Sequence, residues 1–184
     1  LSSKSATCAV RRNVFYEVGQ FDASYFILAE ETELCWRMWL KGWTCWYIPT
    51  AVSWHAFNCP RIKPERDYYN LSRIHFLGCK NYIQMLFTNL GILRLAFILP
   101  VHIFIWVLSA IGFLLKGEFV RSGLIFKAIF SIARSWKKLV IKRIQVQKTR
   151  TISDSDLFKL IMVYPKFSYY LGRFRRYLYR GLHG

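Results

Sequence analysis

Residues 30–55 read EETELCWRMWLKGWTCWYIPTAVSWH, and the periods inside this stretch decide how the chain is expected to fold. From Glu30 to Lys41 there is neither Gly nor Pro. Leu34, Cys35, Trp36, Met38, Trp39 and Leu40 cover most of a helix circumference, while Glu33, Arg37 and Lys41 recur as one polar line at i, i+4 spacing. This predicts a largely buried helix in which Arg37 is the structural partner of Glu33. Gly42 stands where such a helix stops. Thr44 to Ile48 and Ala51 to His55 then read as two extended pieces separated by Pro49. Helix-like and strand-like pieces mixed in this way predict an α/β class.

Upstream of that stretch, Arg11 to Val18 can form a short helix ended by Gly19, and Phe21-Asp22 begins a loop leading to Glu30. Downstream, Arg66 to Phe87 is helix-like, with Tyr69, Ile74, Leu77 and Tyr82 among its apolar positions. The character then changes. Leu95 to Leu115 is 21 residues with no formally charged side chain, and as a helix it would be roughly 30 Å long, about the thickness of a bilayer core. Only Pro100 and His102 interrupt its apolar run. Beyond Lys116, Ile125, Ile129, Ile132, Trp136 and Val140 recur on one face, and Lys127, Arg134, Lys138 and Lys142 mark another. That is the layout of a basic helix lying among lipid headgroups, the alternative being a helix packed on another part of a protein.

The charge is concentrated where the apolar segment ends. The chain carries 27 Lys+Arg against 10 Asp+Glu, and residues 116–184 hold 16 basic and 3 acidic side chains, +13 of the net +17. Anionic lipid and nucleic acid are the two counter-surfaces such a charge implies. No Gly-rich, RNA-binding or zinc-finger signature accompanies it, so anionic membrane lipid is the expected partner and no nucleic acid is expected. A single crossing at Leu95–Leu115 would put the basic tail across the membrane from the rest, against the positive-inside tendency. Pro100 could instead kink the segment into a re-entrant or in-plane pair of short helices. The expectation is an anchor on the cytoplasmic face of the membrane with both ends inside, a true span or a two-crossing hairpin being the alternatives. Cys8, Cys35, Cys45, Cys59 and Cys79 are odd in number and lack paired C-x-x-C spacing, which predicts reduced thiols.

Glu30 and Glu31 stand at the start of the predicted helix. Acids there ordinarily answer the macrodipole and free N–H groups of a first turn. His55 follows 24 residues after Glu31 at the end of the second extended piece, where α/β proteins often place a ligand crevice, although a lone His there also serves as a structural hydrogen-bonding residue. Asp22 begins the loop before the acids, as a loop cap or as a group facing a ligand. Asp154-Ser155-Asp156 lies in the polar tail and is not read as a metal site.

Taken in order, Cys8-Ala9-Val10-Arg11-Arg12, Val14-Phe15, Val18-Gly19-Gln20-Phe21-Asp22, Glu30-Glu31-Thr32-Glu33-Leu34-Cys35-Trp36-Arg37, Gly42, Tyr47-Ile48-Pro49, Ala51-Val52 and Trp54-His55 resemble family 2 glycosyltransferases of the rhamnosyltransferase-like kind. The resemblance covers about the first 50 residues, and its most specific part is Glu-Glu-x-x-Leu-Cys-Trp-Arg followed by Pro and His. Tyr68-Tyr69 with Arg73 is similar to that family's Tyr-Tyr-x-x-Arg-Asn helix, with Ile74 in place of the Asn. The resemblance implies a partial A-type glycosyltransferase (Rossmann-like) fold followed by membrane-associated helices. It implies an inverting transferase moving a sugar from a nucleotide sugar donor to a lipid-linked or cell-surface glycan acceptor.

In those terms Glu31 is the general base with Glu30 beside it, Asp22 is a group facing the acceptor, and His55 is a ligand of a divalent metal, Mg²⁺ or Mn²⁺. The family more often has Asp at the position of Glu31. The family's Asp-x-Asp element and nucleotide pocket lie upstream of the matching region. The sequence, which begins at Leu1, therefore reads as a fragment lacking the donor-binding half. The expected division is 1–60 as the acceptor-side part of the catalytic domain, 61–90 as a connecting helix, 91–117 as the hydrophobic membrane segment, and 118–184 as the basic amphipathic tail. The alternative function is a non-catalytic basic protein that binds membrane surfaces.

Overall fold

The computed structural model describes residues 7–54, 71–161, 168–172 and 175. They form helices α1 (Arg12–Glu17), α2 (Glu30–Leu40), α3 (Leu71–Asn89), α4 (Ile92–Leu115), α5 (Phe119–Arg134), α6 (Trp136–Lys148) and α7 (Asp154–Ile161). No β-strand occurs among the described residues. The protein is all-α there, which overturns the expected α/β, Rossmann-like class. The cause is visible at the two pieces that suggested strands. Residues 43–48 and 51–54 run as irregular chain on either side of a turn at Pro49-Thr50, with Trp46, Tyr47, Val52 and Trp54 exposed. An apolar extended segment becomes a strand only when a neighbour completes its hydrogen-bond ladder, and none among the described residues does so.

The helices before that point stand where the sequence places them. α1 closes at Gly19 and α2 at Gly42, both with φ of +85°, a left-handed conformation that a side chain would resist. α1 packs on α2 through Val14, Val18, Leu34 and Met38.

α3 is the central helix, touching α2, α4, α5 and α6. One side of it joins Trp36 and Leu40 of α2 with Leu86, Leu90, Leu139 of α6 and Leu157 of α7. Another joins Cys79 and Ile83 with Ala110, Phe113, Ile125 and Ala128. The small side chains Ala110 and Ala128, both fully buried, let α4 and α5 approach α3 closely. α4 runs antiparallel to α3: the rings of His75 and Phe113 lie 5.4 Å apart, and those of Tyr82 and His102 5.1 Å apart.

α4 is long and apolar enough to cross a membrane, and most of it is not buried in the protein. It continues through Pro100, so the expected kinked pair of short helices does not form. Proline deprives the carbonyl four residues earlier of its partner. Here both Pro100 and Ala96 lie on the exposed side of α4, where the missing bond disturbs no packing.

α6 and α7 of the basic tail pack onto the same core as α2. Ile125 is fully buried and Ile129 and Ile132 partly so, against α3 and α4, and the helix breaks at Ser135. The stripe expected to face lipid is thus largely a packing face. α6 then caps α3. Arg143 donates to the carbonyls of Phe87 and Leu90, Gln147 to those of Thr88 and Asn89, and Arg150 to that of Asn89, satisfying C-terminal carbonyls that a helix leaves unpaired. The Thr151 amide donates to Leu40 O at 2.7 Å, and the Gly91 amide to Asp154 Oδ2 at 2.7 Å. The chain entering α4 and the chain leaving α6 therefore meet.

Candidate active site at the start of α2

Glu30 and Glu31 open α2 after a loop of unusual backbone. Phe26, Leu28 and Ala29 have φ of 59°, 72° and 70°, a left-handed region that costs a non-glycine residue about 1–3 kcal/mol. Ala29 occupies the N-cap and offers no side-chain cap. The loop is held from α3. Asn81, fully buried, directs its amide Nδ2 at the carbonyls of Tyr25, Ile27 and Leu28 at 2.9, 2.8 and 2.7 Å. Lys80 donates to Ser24 O at 2.5 Å and Gln84 to Ser24 Oγ at 2.6 Å. The ring of Tyr25 is buried in the core below.

The acids that this loop delivers are partly buried. Each has one carboxylate oxygen, Glu30 Oε2 and Glu31 Oε2, buried without a hydrogen-bond partner. Burial raises the pKa of Glu30 above its ordinary value; its own backbone N–H works the other way, and the neighbouring Glu31 carboxyl pushes it up again.

Glu33 does something different from its two neighbours. It is buried and takes a bidentate pair from Arg37, whose Nε and NH2 lie 2.7 Å from Oε1 and Oε2. Arg37 also donates to the carbonyls of Val18 and Gln20, tying α1 to α2. This is the structural pairing expected for Arg37, with the polar line turned inward instead of toward solvent.

Asp22 caps the loop. Its Oδ1 accepts the Ser24 amide at 2.9 Å, and its Oδ2 lies 3.3 Å from Lys142 Nζ on α6. Burial works to raise its pKa, but the bonds from Ser24 and the charge of Lys142 prevail and hold it low. His55, Tyr68 and Tyr69 lie outside the described residues, and Arg73 falls in the first turn of α3. Asp154 binds Arg150 and Gly91, and Asp156 binds Ser153 and Lys159, so both acids of Asp154-Ser155-Asp156 serve the end of the fold. Among the described residues no three His, Cys, Asp or Glu side chains gather to hold a metal ion. Cys8, Cys35, Cys45 and Cys79 carry free thiols.

A cleft lined by Glu17, Gly19, Arg37, Lys41, Lys142 and Thr149 opens between α1, α2 and α6. It does not include Glu30 or Glu31. The residues overlooked in the sequence are Lys80, Asn81 and Gln84. Their signal was present as polar side chains recurring on one side of an otherwise apolar helix, at Asn81, Gln84 and Thr88.

No family model, curated protein or solved structure matches the chain.

Proposed function

We propose that this chain carries the acceptor-side acids of an inverting glycosyltransferase, one that moves a sugar from a nucleotide sugar to a lipid-linked or cell-surface glycan at the cytoplasmic face of a membrane. The observation that supports it best is the partly buried pair Glu30–Glu31, each with an unpartnered buried oxygen, delivered by three left-handed non-glycine residues clamped from α3. Macrodipole compensation alone requires none of this: acids in a first turn serve it equally well when solvated. The reading rests on these residues and on the sequence resemblance, not on a sheet.

In the transfer, the acceptor O–H gives its proton to Glu31 as its oxygen bonds to the anomeric carbon. The bond from that carbon to the diphosphate breaks on the opposite face, and the nucleotide diphosphate leaves with the electron pair. Glu30 stands beside Glu31 at the start of α2 and completes the acid pair that faces the acceptor. A divalent ion, Mg²⁺ or Mn²⁺, held with His55 belongs to the same proposal and would neutralise the departing diphosphate.

The test is Glu31→Gln in the active enzyme. Turnover should fall about 10²-fold or more with donor binding retained. Turnover near the unsubstituted level removes Glu31 from the chemistry. A second reading, a non-catalytic protein of membrane surfaces, is favoured by the exposed apolar length of α4 and predicts that no substitution at Glu31 changes its membrane binding.

A further inference from the structure

We propose that α4 lies lengthwise in one leaflet of an anionic phospholipid bilayer, with α5 beside it, and does not cross the membrane. Leu93, Phe97, Val101, Phe104, Leu108, Ile111 and Leu115 form one exposed stripe along α4, from 41% exposure at Leu108 to 85% at Leu115. Their spacing of three and four residues keeps them on one side of the helix for its whole length. Phe119, Val120, Phe126 and Phe130 of α5 extend the same kind of surface. Basic side chains accompany it: by the helical period Lys127 flanks Phe130 on α5, and Arg134 at the end of that helix is exposed, as are Lys137 and Lys138 at the start of α6, in a chain of net charge +17. An apolar face edged with cations is complementary to acyl chains beneath anionic headgroups.

What fixes the orientation is the far side of α3. His75, Cys79 and Tyr82 of α3 face α4 and so mark the level of its middle and second half, Tyr82 meeting His102 near the helix midpoint. By the helical period, Lys80, Asn81 and Gln84 point away from α4 at that same level, and there they hold the loop through Ser24, Tyr25, Ile27 and Leu28. The loop is irregular, its Gln20, Ala23 and Ser24 are exposed, and it carries the Asp22–Lys142 ion pair. Were α4 to stand across a bilayer, this exposed irregular backbone would sit at the middle of the hydrocarbon, where such loops do not occur. Laid flat, α4 puts its stripe in lipid and leaves the loop and the acid pair in water. The inference stands apart from the glycosyl-transfer reading, and its test measures no activity.

The experiment uses the full chain with Cys8, Cys45 and Cys59 replaced by serine, and an environment-sensitive fluorophore on a single new cysteine at Leu93, Phe104 or Leu115. It is mixed with phosphatidylcholine–phosphatidylglycerol vesicles whose lipids carry quenchers at graded acyl depths. The three sites should report one shallow depth, and quenchers confined to the outer leaflet should reach all of them. A profile with Phe104 deepest and the two ends near opposite surfaces overturns the proposal. So does a chain that ignores the vesicles, whether because two copies cover the face or for any other cause. As a second line, Phe97→Glu with Phe104→Glu should weaken vesicle binding roughly 100-fold with helix content unchanged, whereas leucine at both positions retains it.

Discussion

Replacing Asn81 by alanine should release the loop that presents Glu30 and Glu31. The amide of Asn81 has two hydrogens directed at three carbonyls, those of Tyr25, Ile27 and Leu28, so at least one contact is shared. Two net hydrogen bonds contribute roughly 1 kcal/mol each, and a carbonyl left buried without a donor costs about 1–3 kcal/mol. The loss should therefore be about 2–4 kcal/mol, the upper part of that range applying if water cannot reach the site of a side chain that is now fully buried. The left-handed residues Phe26, Leu28 and Ala29 persist only while their surroundings over-determine them. Part of the response should be local, the loop relaxing toward ordinary backbone and the acids losing their position. Equilibrium urea unfolding of the lipid-bound chain gives the stability change, and hydrogen exchange at the amides of 25–31 reads the loop. Asn81→Asp should be no better than alanine, because a carboxylate brings acceptors to three carbonyls. A stability change under about 0.5 kcal/mol with unaltered exchange would refute the reasoning, since neither the bonds nor the strain they oppose could then matter.

Other perturbations separate the roles of the charged groups. Glu30→Gln should stabilise the chain near neutral pH, with the gain fading as pH falls toward the ordinary carboxylate value of 4.5: a raised folded pKa means that the native state binds the extra proton, so stability is present at low pH and lost as pH rises through the folded pKa. Thermal melts across that window read it, and a gain independent of pH would count against the burial argument. Arg37→Ala should destabilise by about 3–5 kcal/mol, because it strands the buried Glu33 carboxylate and frees the carbonyls of Val18 and Gln20. Arg37→Ala with Glu33→Ala should recover part of that loss. Asp154→Ala should cost about 1.5–3 kcal/mol by removing the acceptor for the Gly91 amide and the partner of Arg150, read by faster exchange at the Gly91 amide.

The helices were legible wherever a period of 3.6 ran between breakers, as in α2 between the loop after Asp22 and Gly42. The class was not. The sequence over 43–54 has the composition of strands, but strand formation depends on a partner that local composition cannot report. The same limit explains the tail. Ile125, Ile129 and Ile132 define an apolar face whether its neighbour is lipid or α3, and periodicity cannot distinguish the two. The Glu33–Arg37 pair was readable because i, i+4 geometry is local. The clamp from Asn81 spans 53 to 56 residues of sequence, so the polar line of Asn81, Gln84 and Thr88 marked a face of α3 but not the loop it holds. The acid pair could be named from its motif, whereas the left-handed backbone behind it belongs to residues, Phe26 and Leu28, that sequence alone would never assign to that conformation.

The packing of α3 also weighs the three ways in which α4 could meet a membrane. A spanning α4 would carry Lys80, Asp22 and Lys142 toward the bilayer centre, where a charged side chain costs about 2.5–3.5 kcal/mol by insertion measurements, together with several kcal/mol for each exposed peptide group of the loop that has no water to bind. A hairpin of α4 and α5 meets the same loop and a second obstacle. α5 has 16 residues, about 24 Å of helix against a hydrocarbon core of about 30 Å, and it carries Lys127 at its middle. The flat arrangement incurs neither cost. Lys127 can reach the headgroups with its aliphatic stem along Phe126 and Phe130. The contact between Gly91 and Asp154 is then satisfied without any segment passing through the bilayer, and the chain on both sides of α4 stays on the same side of the membrane as Glu30 and Glu31.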